Sequence, residues 1–285
     1  MNGTYNDIYI NARHALKNAG IESYALEARL LVAGAAGKTS ADLLRDIALF
    51  AAPELESVVA GYVARRIAGE PVAYITGRWE FCGVPLNITR DVLIPRDDTE
   101  LIVRAAVELF RSRNGTPRIL DLCTGSGCIG AALAVQLPGS RIVMVDNDPK
   151  ALALCRSNVL LNKLGLRVMC IEADATKKPP VLLGNFDLLV CNAPYIPTAE
   201  LETLDVSVRD YEPVQALDGG EDGLQIIRPV ITLWKNVLKP GGTIMLEICE
   251  GQADAVSSIL ESAGFSHIGA LKDTGGTDRV IIAQY

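Results

Sequence analysis

The hydrophobic residues in the first part of the chain recur at the spacing of an α-helix. Between Asn6 and Ile67 they fall three and four positions apart, as in Ile8, Ala12, Ala15, Leu16 and Ala19, and again in Leu55, Val58, Val59, Tyr62 and Val63. Glycines and one proline interrupt this pattern, and no run of β-branched residues suggests a strand. The pattern predicts several short helices that pack into a small helical domain over residues 1–75.

The pattern changes between Gly69 and Arg90. Glycines and prolines there separate short pieces that are rich in Tyr, Ile, Trp, Phe and Val. Short β-favouring pieces between turn residues are typical of a hairpin. We therefore expect a β-hairpin connector over residues 76–93.

After Arg90, short β-branched or leucine-rich runs alternate with helical stretches. This alternation is typical of strand-helix-strand units and of a mostly parallel sheet. The predicted strands are 118–122, 141–146, 167–172, 187–191, 243–248, 266–271 and 279–283. The predicted helices are 98–111, 129–137, 150–161, 224–238 and 252–262.

These elements predict an α/β domain over residues 94–285, with a seven-stranded Rossmann-like sheet and helices on both faces. Only a short turn, residues 273–278, joins the last two strands. Parallel neighbours need a longer connection, so one of these two strands is expected to be antiparallel. An ordinary dinucleotide-binding domain does not end in this way.

Length, composition and charge exclude several classes of protein. The 285 residues correspond to about two domains, and 49% hydrophobic residues suffice for sizeable cores. The 27 basic and 34 acidic side chains give a net charge of −7, which repels phosphate backbones. We therefore expect no sequence-independent binding of nucleic acid.

The cysteines and the apolar runs bear on the cellular location. The seven cysteines are scattered, form no C-x-x-C pair and lie mostly in apolar stretches. They are interpreted as reduced thiols, which are typical of a cytoplasmic protein. The first residues lack the pattern of a signal peptide, and no apolar run approaches the roughly 18 residues that cross a bilayer. We expect neither secretion nor membrane insertion.

A glycine-rich turn follows the first strand of the predicted sheet. It reads Asp121-Leu122-Cys123-Thr124-Gly125-Ser126-Gly127, and Gly130 completes a G-x-G-x-x-G pattern. Asp146 ends the next strand, about 20 residues beyond the turn in the sequence, where a carboxylate can accept hydrogen bonds from the two hydroxyls of a ribose. This pattern alone fits a nicotinamide or flavin dinucleotide as well as S-adenosylmethionine.

Two features favour S-adenosylmethionine. Asp121 would repel a pyrophosphate but attract the ammonium group of a methionine moiety. The tetrapeptide Asn192-Ala193-Pro194-Tyr195 directly follows the predicted strand 187–191. Ligands of open parallel sheets lie beyond the carboxyl ends of the strands, so the tetrapeptide and the glycine loop are expected to face one crevice.

The tetrapeptide suits methylation of a planar nitrogen whose lone pair is delocalised. The Asn192 side-chain oxygen and the Ala193 carbonyl would hold the two N–H bonds, and Tyr195 would stack on the planar group. Positioning and electrostatics then provide the rate, because the proton can leave to water after methyl transfer. The only histidines, His14 and His267, lie away from these motifs, so we expect neither histidine acid–base catalysis nor a metal site.

Together, the motifs resemble those of the release factor glutamine N5-methyltransferases, the HemK/PrmC family. Residues 69–77 resemble its domain junction, 93–100 its I-P-R-P-D-T-E block, 121–127 its cofactor loop, 192–195 its Asn-Pro-Pro-Tyr and 211–220 its E-P-x-x-A-L-x-G-G segment. Asp97 stands where the second proline of the first block is usual. Several spaced motifs in the same order make the resemblance specific.

The resemblance implies a protein methyltransferase with S-adenosylmethionine as methyl donor and S-adenosylhomocysteine as product. The implied acceptor is the glutamine of the GGQ motif in peptide-chain release factors. It also implies that the helical domain recognises this substrate and that the enzyme is a cytoplasmic monomer.

The resemblance further implies roles for single residues. The implied cofactor-binding residues are Asp121, Cys123, Thr124, Gly125, Ser126, Gly127, Asp146, Asp174, Ala175 and Asn192, with Asp146 on the ribose and Asp174 and the Ala175 backbone beside the adenine. The implied catalytic residues, which also hold the substrate amide, are Asn192, Ala193, Pro194 and Tyr195. Pro95, Arg96 and Glu100 would border the substrate pocket.

Two departures from the family pattern bear on this site. Ala193 replaces a proline, but Pro194 still biases it toward extended backbone, so we expect its carbonyl to keep its direction. Cys123 replaces a common glycine. A cysteine with positive φ would be strained, so we expect that this position does not require positive φ.

The charged residues in 96–100 can equally be interpreted as structural residues that do not contact a substrate. Asp97, Asp98 and Glu100 could open and cap a helix. Arg96 could form a surface ion pair with such acids instead of contacting a partner.

Three other functions are open at this stage. Methylation of an exocyclic nucleobase amine poses the same chemical problem, although the acidic charge balance disfavours it. A module that binds the cofactor without catalysis is suggested only by Ala193. A dehydrogenase would require binding of NAD or NADP.

Overall fold

The computed structural model describes residues 3–111, 115–181 and 183–285. Contacts divide the chain into two compact units, Met1–Arg78 with Asp205–Tyr211 and Trp79–Leu204 with Glu212–Tyr285. The division into residues 1–75, 76–93 and 94–285 stays a prediction, and residues 1, 2, 112–114 and 182 lie outside the described residues. The sequence pattern gave no sign that 205–211 would group with the first unit.

The first unit is helical, as predicted. Its helices are α1 (Tyr5–Asn18), α2 (Tyr24–Ala35), α3 (Ser40–Arg45), α4 (Leu55–Ile67) and α5 (Val72–Thr76). The Thr4 and Thr39 hydroxyls cap α1 and α3 by accepting from the N–H groups of Asp7 (3.2 Å) and Asp42 (3.0 Å). The helices enclose an aliphatic core that includes Leu16, Ala28, Leu31, Leu43 and Val59.

The predicted β-hairpin is present. It consists of β1 (Arg78–Phe81) and β2 (Val84–Asn87). Cys82 and Gly83 form its turn, with φ angles of 51° and 77°. Positive φ at both central positions is the geometry that matches the twist of hairpin strands.

A short helix, α5, precedes the hairpin although its sequence is rich in β-favouring residues. Pro71 stands at its N-cap, and Gly77 ends it with a φ of 69°. Proline at the start and left-handed glycine at the end favour a single helical turn over a strand.

The second unit contains the predicted seven-stranded sheet. Its strands are β3 (Arg118–Leu122), β4 (Arg141–Asp146), β5 (Val168–Glu172), β6 (Phe186–Cys191), β7 (Leu238–Glu247), β8 (Ser266–Lys272) and β9 (Asp278–Gln284). Their order is β5-β4-β3-β6-β7-β9-β8. β9 runs antiparallel to both neighbours and the other pairs are parallel, so the expected antiparallel ending is confirmed.

Six further α-helices follow in chain order within the described residues. They are α6 (Glu100–Arg111), α7 (Cys128–Gln136), α8 (Pro149–Leu161), α9 (Val206–Arg209), α10 (Ile227–Trp234) and α11 (Ala253–Ser262). α10 begins later than residue 224, where it was predicted, because Pro229 is tolerated only in the first turn of a helix. No helix in the described part of the chain is long and apolar enough to cross a membrane.

The carboxyl ends of β3, β4 and β6 meet at one edge of the sheet. Leu122 on β3 pairs with Val145 on β4 and with Cys191 on β6. These strands are nearly all buried and aliphatic, as expected for parallel strands covered on both faces. The glycine loop, Asp146 and Asn192 therefore leave the sheet side by side.

The segment Asp205–Tyr211 contacts the end of α4 within the first unit. The Tyr211 hydroxyl donates to the Ala68 carbonyl (3.0 Å). A Cβ on Gly69, whose φ is 102°, would lie 3.5 Å from the Tyr211 ring. The segment thus depends on long-range contacts, which local sequence patterns do not report.

Candidate active site

The turn between β3 and α7 is held by backbone hydrogen bonds. Thr124 N–H donates to the Val145 carbonyl on β4 (3.0 Å), and Gly127 N–H donates to the Thr124 carbonyl (2.8 Å). Gly125 and Gly127 have φ angles of 53° and 82°. A Cβ on Gly127 would lie 2.9 Å from the Cys155 sulfur. Glycine is therefore needed at 127 for both its conformation and its size.

Cys123 lies in the left-handed region, with a φ of 55°. The expectation that this position would not require positive φ is therefore wrong. β3 ends at Leu122, and the chain must turn at once so that the next N–H group, that of Thr124, reaches β4. A side chain in this conformation costs roughly 1–2 kcal/mol.

We expect Cys123→Gly to raise the free energy of unfolding by up to about 1 kcal/mol, because glycine adopts positive φ without steric cost. Urea unfolding followed by circular dichroism measures this. Cys249→Gly is the matched control, since Cys249 is not among the described residues with positive φ, and glycine there should destabilise the protein. Equal destabilisation by both variants would show that Cys123 is not strained.

Asp121 supports the loop from beneath. It is fully buried, and its Oδ2 accepts from the Thr124 hydroxyl (2.6 Å) and the Gly130 N–H (3.0 Å). Oδ1 has no hydrogen-bond partner in the described part of the chain. Burial raises the pKa of this carboxyl group to about 7. The Asp121 Oδ1 atom could therefore accept a hydrogen bond from a cationic or polar donor.

Asp146 joins the end of β4 to the glycine loop. Its Oδ2 accepts from the Gly125 N–H (2.8 Å) and its Oδ1 from the Asp148 N–H (3.1 Å). Burial raises the pKa of Asp146 above its usual value. Further donors, such as the hydroxyls of a ribose, would stabilise its charged form.

Asp174 and Ala175 form a fixed turn after β5. Asp174 Oδ1 accepts from the hydroxyl (2.6 Å) and the N–H (2.8 Å) of Thr176, and the hydroxyl contact lowers the pKa of Asp174. The Ala175 carbonyl accepts from the indole N–H of the buried Trp234 (2.9 Å). The turn is thereby anchored on α10.

Asn158 on α8 supports the glycine loop from another side. This fully buried side chain donates from Nδ2 to the Ser126 carbonyl (2.9 Å) and the Asn87 carbonyl (3.0 Å). Its Oδ1 accepts from the Asn87 N–H (2.7 Å). One amide thus ties the loop to the hairpin strand β2.

The tetrapeptide 192–195 directly follows β6. Asn192 Nδ2 donates to the Thr99 hydroxyl (3.3 Å). The Tyr195 hydroxyl donates to Glu247 Oε1 (3.2 Å), and the Tyr195 carbonyl accepts from Gln252 Nε2 (3.0 Å). Burial raises the pKa of Tyr195, so its hydroxyl stays protonated and acts as a donor.

Arg96 forms an ion pair with Glu212, a buried carboxylate. The second Glu212 oxygen accepts from the Ile94 N–H (3.1 Å). The pair connects two motifs that the sequence showed separately, residues 93–100 and 211–220. Glu100 Oε1 accepts from the Cys82 N–H (3.1 Å) and so holds the hairpin turn.

One cavity lies over the ends of β3, β4 and β6. The predicted site residues that line it are Pro95, Cys123, Thr124, Gly125, Ser126, Asp146, Asp174, Ala175, Asn192 and Pro194. Those that do not line it are Asp121, Gly127, Ala193, Tyr195, Arg96 and Glu100. The structure thus brings the glycine loop and Asn192 to one cavity, and it places Asp121, Arg96 and Glu100 in supporting contacts behind or beside it.

The cavity is acidic. The carboxylates of Asp91, Asp146, Asp148 and Asp174 line it, and no lysine or arginine is among its described lining residues. Such a lining favours a ligand with positive charge and disfavours a pyrophosphate. In residues 3–111, 115–181 and 183–285, the cavity included, no group of three or more histidine, cysteine, aspartate or glutamate side chains could hold a metal ion.

Sequence reasoning missed several residues of the site. Thr99 and Gln215 line the cavity, and Glu247 binds Tyr195 from outside it. Thr99 and Gln215 lie within motifs quoted above, 93–100 and 211–220, so motif membership was the available signal. Glu247 had no such signal beyond its position at the end of an apolar strand.

Two family models match the chain. The model of the PrmC N-terminal domain matches residues 7–77, and that of the methyltransferase small domain matches residues 100–207. The fold is also similar to the crystal structure of a methyltransferase from Pyrococcus furiosus, with a TM-score of 0.54 and 16% identity over 79% of this chain and 98% of that one. This likeness shows the methyltransferase fold alone.

Two relatives that match most of this chain carry the same name. The release factor glutamine methyltransferase of Geobacter sulfurreducens is 40% identical over 269 residues, which cover 94% of this chain and 92% of the relative. That of Clostridium botulinum is 35% identical over 98% of both chains. The matches span both the helical unit and the sheet that holds the acidic cavity. The chain therefore belongs to the release factor glutamine methyltransferase family.

Proposed function

We propose that this protein transfers a methyl group from S-adenosylmethionine to the side-chain amide nitrogen (N5) of the glutamine in the GGQ motif of peptide-chain release factors. The observation that carries the proposal is that Asn192 and the glycine loop line the same acidic cavity. Family membership supports the acceptor, because the relatives are named for it.

The residues of the cavity fit the proposed cofactor, which supplies a methyl group on a sulfonium and also bears an ammonium group. Cys123 to Gly127 would surround its methionine and ribose portions, and Asp146 would accept from the ribose hydroxyls. Asp121 Oδ1, which is buried without a partner in the described part of the chain, would add negative charge beneath the ammonium. Asp174 and Ala175 would border the adenine.

Asn192 and its neighbours would hold the acceptor amide. The Asn192 Nδ2 is engaged by Thr99, so Oδ1 is the end that can accept from the substrate N–H. The Ala193 carbonyl is the second acceptor in this proposal, and Pro194 lines the cavity beside Asn192. Held in this way, the nitrogen lone pair would be directed at the methyl group.

Tyr195 has a different role in this proposal from the stacking inferred from the motif. Its hydroxyl is bound to Glu247 and its carbonyl to Gln252, and the residue does not line the cavity. We infer that it positions the tetrapeptide. Arg96 and Glu100 likewise support the cavity border through Glu212 and Cys82.

The chain needs no strong general base for this reaction. The acceptor proton becomes acidic once the methyl group is attached, and it can pass to water. The negative lining favours binding of the cationic cofactor, and orientation of the acceptor nitrogen supplies the rate. We place the enzyme in the cytoplasm as a monomer that acts on protein and does not bind nucleic acid.

Transfer of label tests the proposal. The protein is incubated with methyl-labelled S-adenosylmethionine and purified release factor, beside a release factor whose GGQ glutamine is changed to alanine. We expect label on the unchanged factor and none on the variant. Mass spectrometry should find one added methyl group on the glutamine.

The other functions give different results in the same assay. Label on both factors would place the methyl group on another residue. Label on neither, with cofactor binding shown by calorimetry, would refute the glutamine acceptor, and labelled DNA or RNA would then favour a nucleobase amine. Binding of NAD in place of S-adenosylmethionine would favour a dehydrogenase.

A further inference from the structure

Three sulfur atoms lie together beside the glycine loop, and the proposed reaction uses none of them. Met144 on β4 is the register partner of Cys170 on β5. Cys155 on α8 contacts both residues, since its sulfur lies 3.3 Å from Met144 Sδ and 3.4 Å from Cys170 Sγ. Both cysteines are free thiols. A disulfide between them would require the sulfurs to approach from 3.4 Å to about 2 Å.

The two thiols differ in their access to solvent. Cys155 is fully buried, and so is Met144. Cys170 is partly exposed and lies on β5, the strand at one edge of the sheet. A small oxidant from solvent therefore reaches Cys170 before it reaches either buried sulfur.

The surroundings of Cys170 favour its reactive form. The nucleophile in thiol oxidation is the thiolate. A hydrogen bond from the Cys155 thiol lowers the pKa of Cys170, and the positive charge of Arg156 acts in the same direction, so that together they outweigh the effect of partial burial. The contact with Cys170 and burial raise the pKa of Cys155. Cys155 therefore keeps its proton, and Cys170 is the thiol that ionises first.

The glycine loop packs directly against Cys155. A Cβ on Gly127 would lie 2.9 Å from the Cys155 sulfur and 3.7 Å from the Cys155 Cα. About one turn further along α8, Asn158 donates to the Ser126 carbonyl (2.9 Å). A displacement of the Cys155 sulfur therefore acts on the loop at a point of close contact.

We propose that Cys170 and Cys155 form an oxidation site, in which a hydroperoxide converts the two thiols to a disulfide and the disulfide weakens cofactor binding by displacing the glycine loop. The oxidation site itself goes beyond the proposed function. Its effect on cofactor affinity rests on the proposed function, because that function assigns S-adenosylmethionine to the cavity.

The chemistry balances with the hydroperoxide as oxidant. The Cys170 thiolate attacks one peroxide oxygen, the O–O bond breaks and hydroxide leaves, so that Cys170 becomes a sulfenic acid. The Cys155 sulfur then attacks the Cys170 sulfur, the S–O bond breaks, and the departing hydroxide takes the Cys155 proton and becomes water. For hydrogen peroxide, two thiols are oxidised to one disulfide while one peroxide is reduced to two waters. A dithiol restores both thiols by exchange.

The disulfide changes the support of the glycine loop. Formation of the bond moves the two sulfurs toward each other, and the Cys155 sulfur can then no longer pack against Gly127 as it does in the reduced protein. The neighbouring residues Gly125 and Ser126 line the cavity, so the change displaces groups that would hold the cofactor. We expect the dissociation constant of S-adenosylhomocysteine to rise about tenfold, a typical size for coupling between two sites.

Peptide mapping by mass spectrometry tests the oxidation site. Trypsin cuts the chain so that Cys155 and Cys170 fall on separate peptides, 151–156 and 168–177. After treatment with hydrogen peroxide and blocking of free thiols, we expect these peptides to be cross-linked, and we expect dithiothreitol to separate them. Met169, which is 56% exposed and lies on the second peptide, shows by its conversion to the sulfoxide that enough oxidant was present.

Calorimetric titration with S-adenosylhomocysteine tests the effect on affinity. The dissociation constant should rise about tenfold in the oxidised wild type and return to its first value after dithiothreitol, a comparison that needs no variant. Linkage requires the reverse effect as well. In a thiol–disulfide buffer, saturating S-adenosylhomocysteine should lower the equilibrium constant for disulfide formation by the same factor.

Cys170→Ser and Cys249→Ser are the matched variants, because each replaces a partly exposed cysteine. Cys170→Ser should form no cross-link, and its affinity for S-adenosylhomocysteine should not respond to peroxide. Cys249→Ser should form the cross-link and lose affinity as the wild type does. Circular dichroism verifies that both variants are folded.

The outcomes separate this proposal from the proposed function. Absence of the cross-link in protein whose Met169 is already oxidised would overturn the oxidation site. A cross-link that leaves the dissociation constant unchanged would overturn its effect on the glycine loop, and protein that binds no S-adenosylhomocysteine in either state would overturn that effect together with the proposed cofactor. None of these measurements uses a release factor, so failure to label the release factor would refute the proposed acceptor alone.

Discussion

Replacing Asn192 with alanine is expected to lower the rate constant of methyl transfer by about 10²–10³-fold, the cost of removing one group that orients or stabilises a transition state. The Asn192 Nδ2 is engaged by Thr99, which leaves Oδ1 for the cavity. In the proposed function, alanine removes the acceptor that would hold the substrate nitrogen. Single-turnover labelling of the release factor measures this rate directly.

Cofactor affinity should respond much less to Asn192→Ala. In the proposed function, Asn192 would contribute at most one hydrogen bond to a cofactor held mainly by the glycine loop and Asp146, so the dissociation constant should rise less than about tenfold. Calorimetric titration with S-adenosylhomocysteine measures it. Asn236→Ala serves as the control, because Asn236 is exposed on the same unit and its side chain donates to the Leu233 carbonyl on its own helical turn.

If the rate constant of methyl transfer in Asn192→Ala is within tenfold of the wild-type value, this would contradict the proposal that Asn192 holds the acceptor amide. The Ala193 carbonyl would then have to hold the nitrogen without a second acceptor. Equal losses of rate and cofactor affinity would instead assign Asn192 to cofactor binding alone.

Most strands of the sheet could be predicted to within about one residue because their signals are local, whereas β7 begins at Leu238 and not at the predicted residue 243, because Pro240, Gly241 and Gly242 are typical of a turn. Apolar runs such as 118–122 and 141–146 are short, buried on both faces and bounded by turn residues, so their pattern alone marks them as parallel strands. The order of the strands at the cavity follows from general rules for such sheets. The glycine loop and Asn192 were therefore placed on one crevice from the sequence.

The conformation of Cys123 could not be predicted from its residue type. A cysteine argues for negative φ, yet the hydrogen bond from Thr124 to β4 imposes 55°. Tertiary contacts decided this position against the local preference. The family glycine at this position was the better guide to the backbone.

The contacts that hold the cavity-lining segments in place join residues far apart in the sequence, and local sequence patterns could not predict them. Arg96 pairs with Glu212, more than a hundred residues away, and Tyr195 pairs with Glu247. Each partner is a single buried carboxylate with no distinctive neighbours. Motif reasoning located the groups that line the cavity, but it could not tell them from groups that hold the cavity in place.

Replacing Gly223 with alanine is expected to reduce methyl transfer about 100-fold, although this residue is not among the residues that line the cavity, because displacement of a site by about 1 Å has this effect. Gly223 has a φ of 73°, and a Cβ there would lie 2.3 Å from the Tyr195 carbonyl oxygen and 2.5 Å from Gln252 Nε2. Those two atoms form the hydrogen bond that fixes the end of the tetrapeptide. The methyl group must separate them or move the Tyr195 backbone.

Gly264→Ala is the control that separates the effect of this steric overlap from the effect of backbone strain. Gly264 also has positive φ, 90°, but a Cβ there would meet nothing within 4 Å. Both variants should therefore lose about 1–2 kcal/mol of unfolding free energy from backbone strain, whereas only Gly223→Ala should lose activity at a temperature where both remain folded. Tyr195 and Asn192 are only three residues apart, so a shift of the Tyr195 backbone should displace Asn192. If the rate of methyl transfer in Gly223→Ala is within threefold of that in Gly264→Ala, the hold of Asn192 on the acceptor amide does not depend on the position of the Tyr195 backbone.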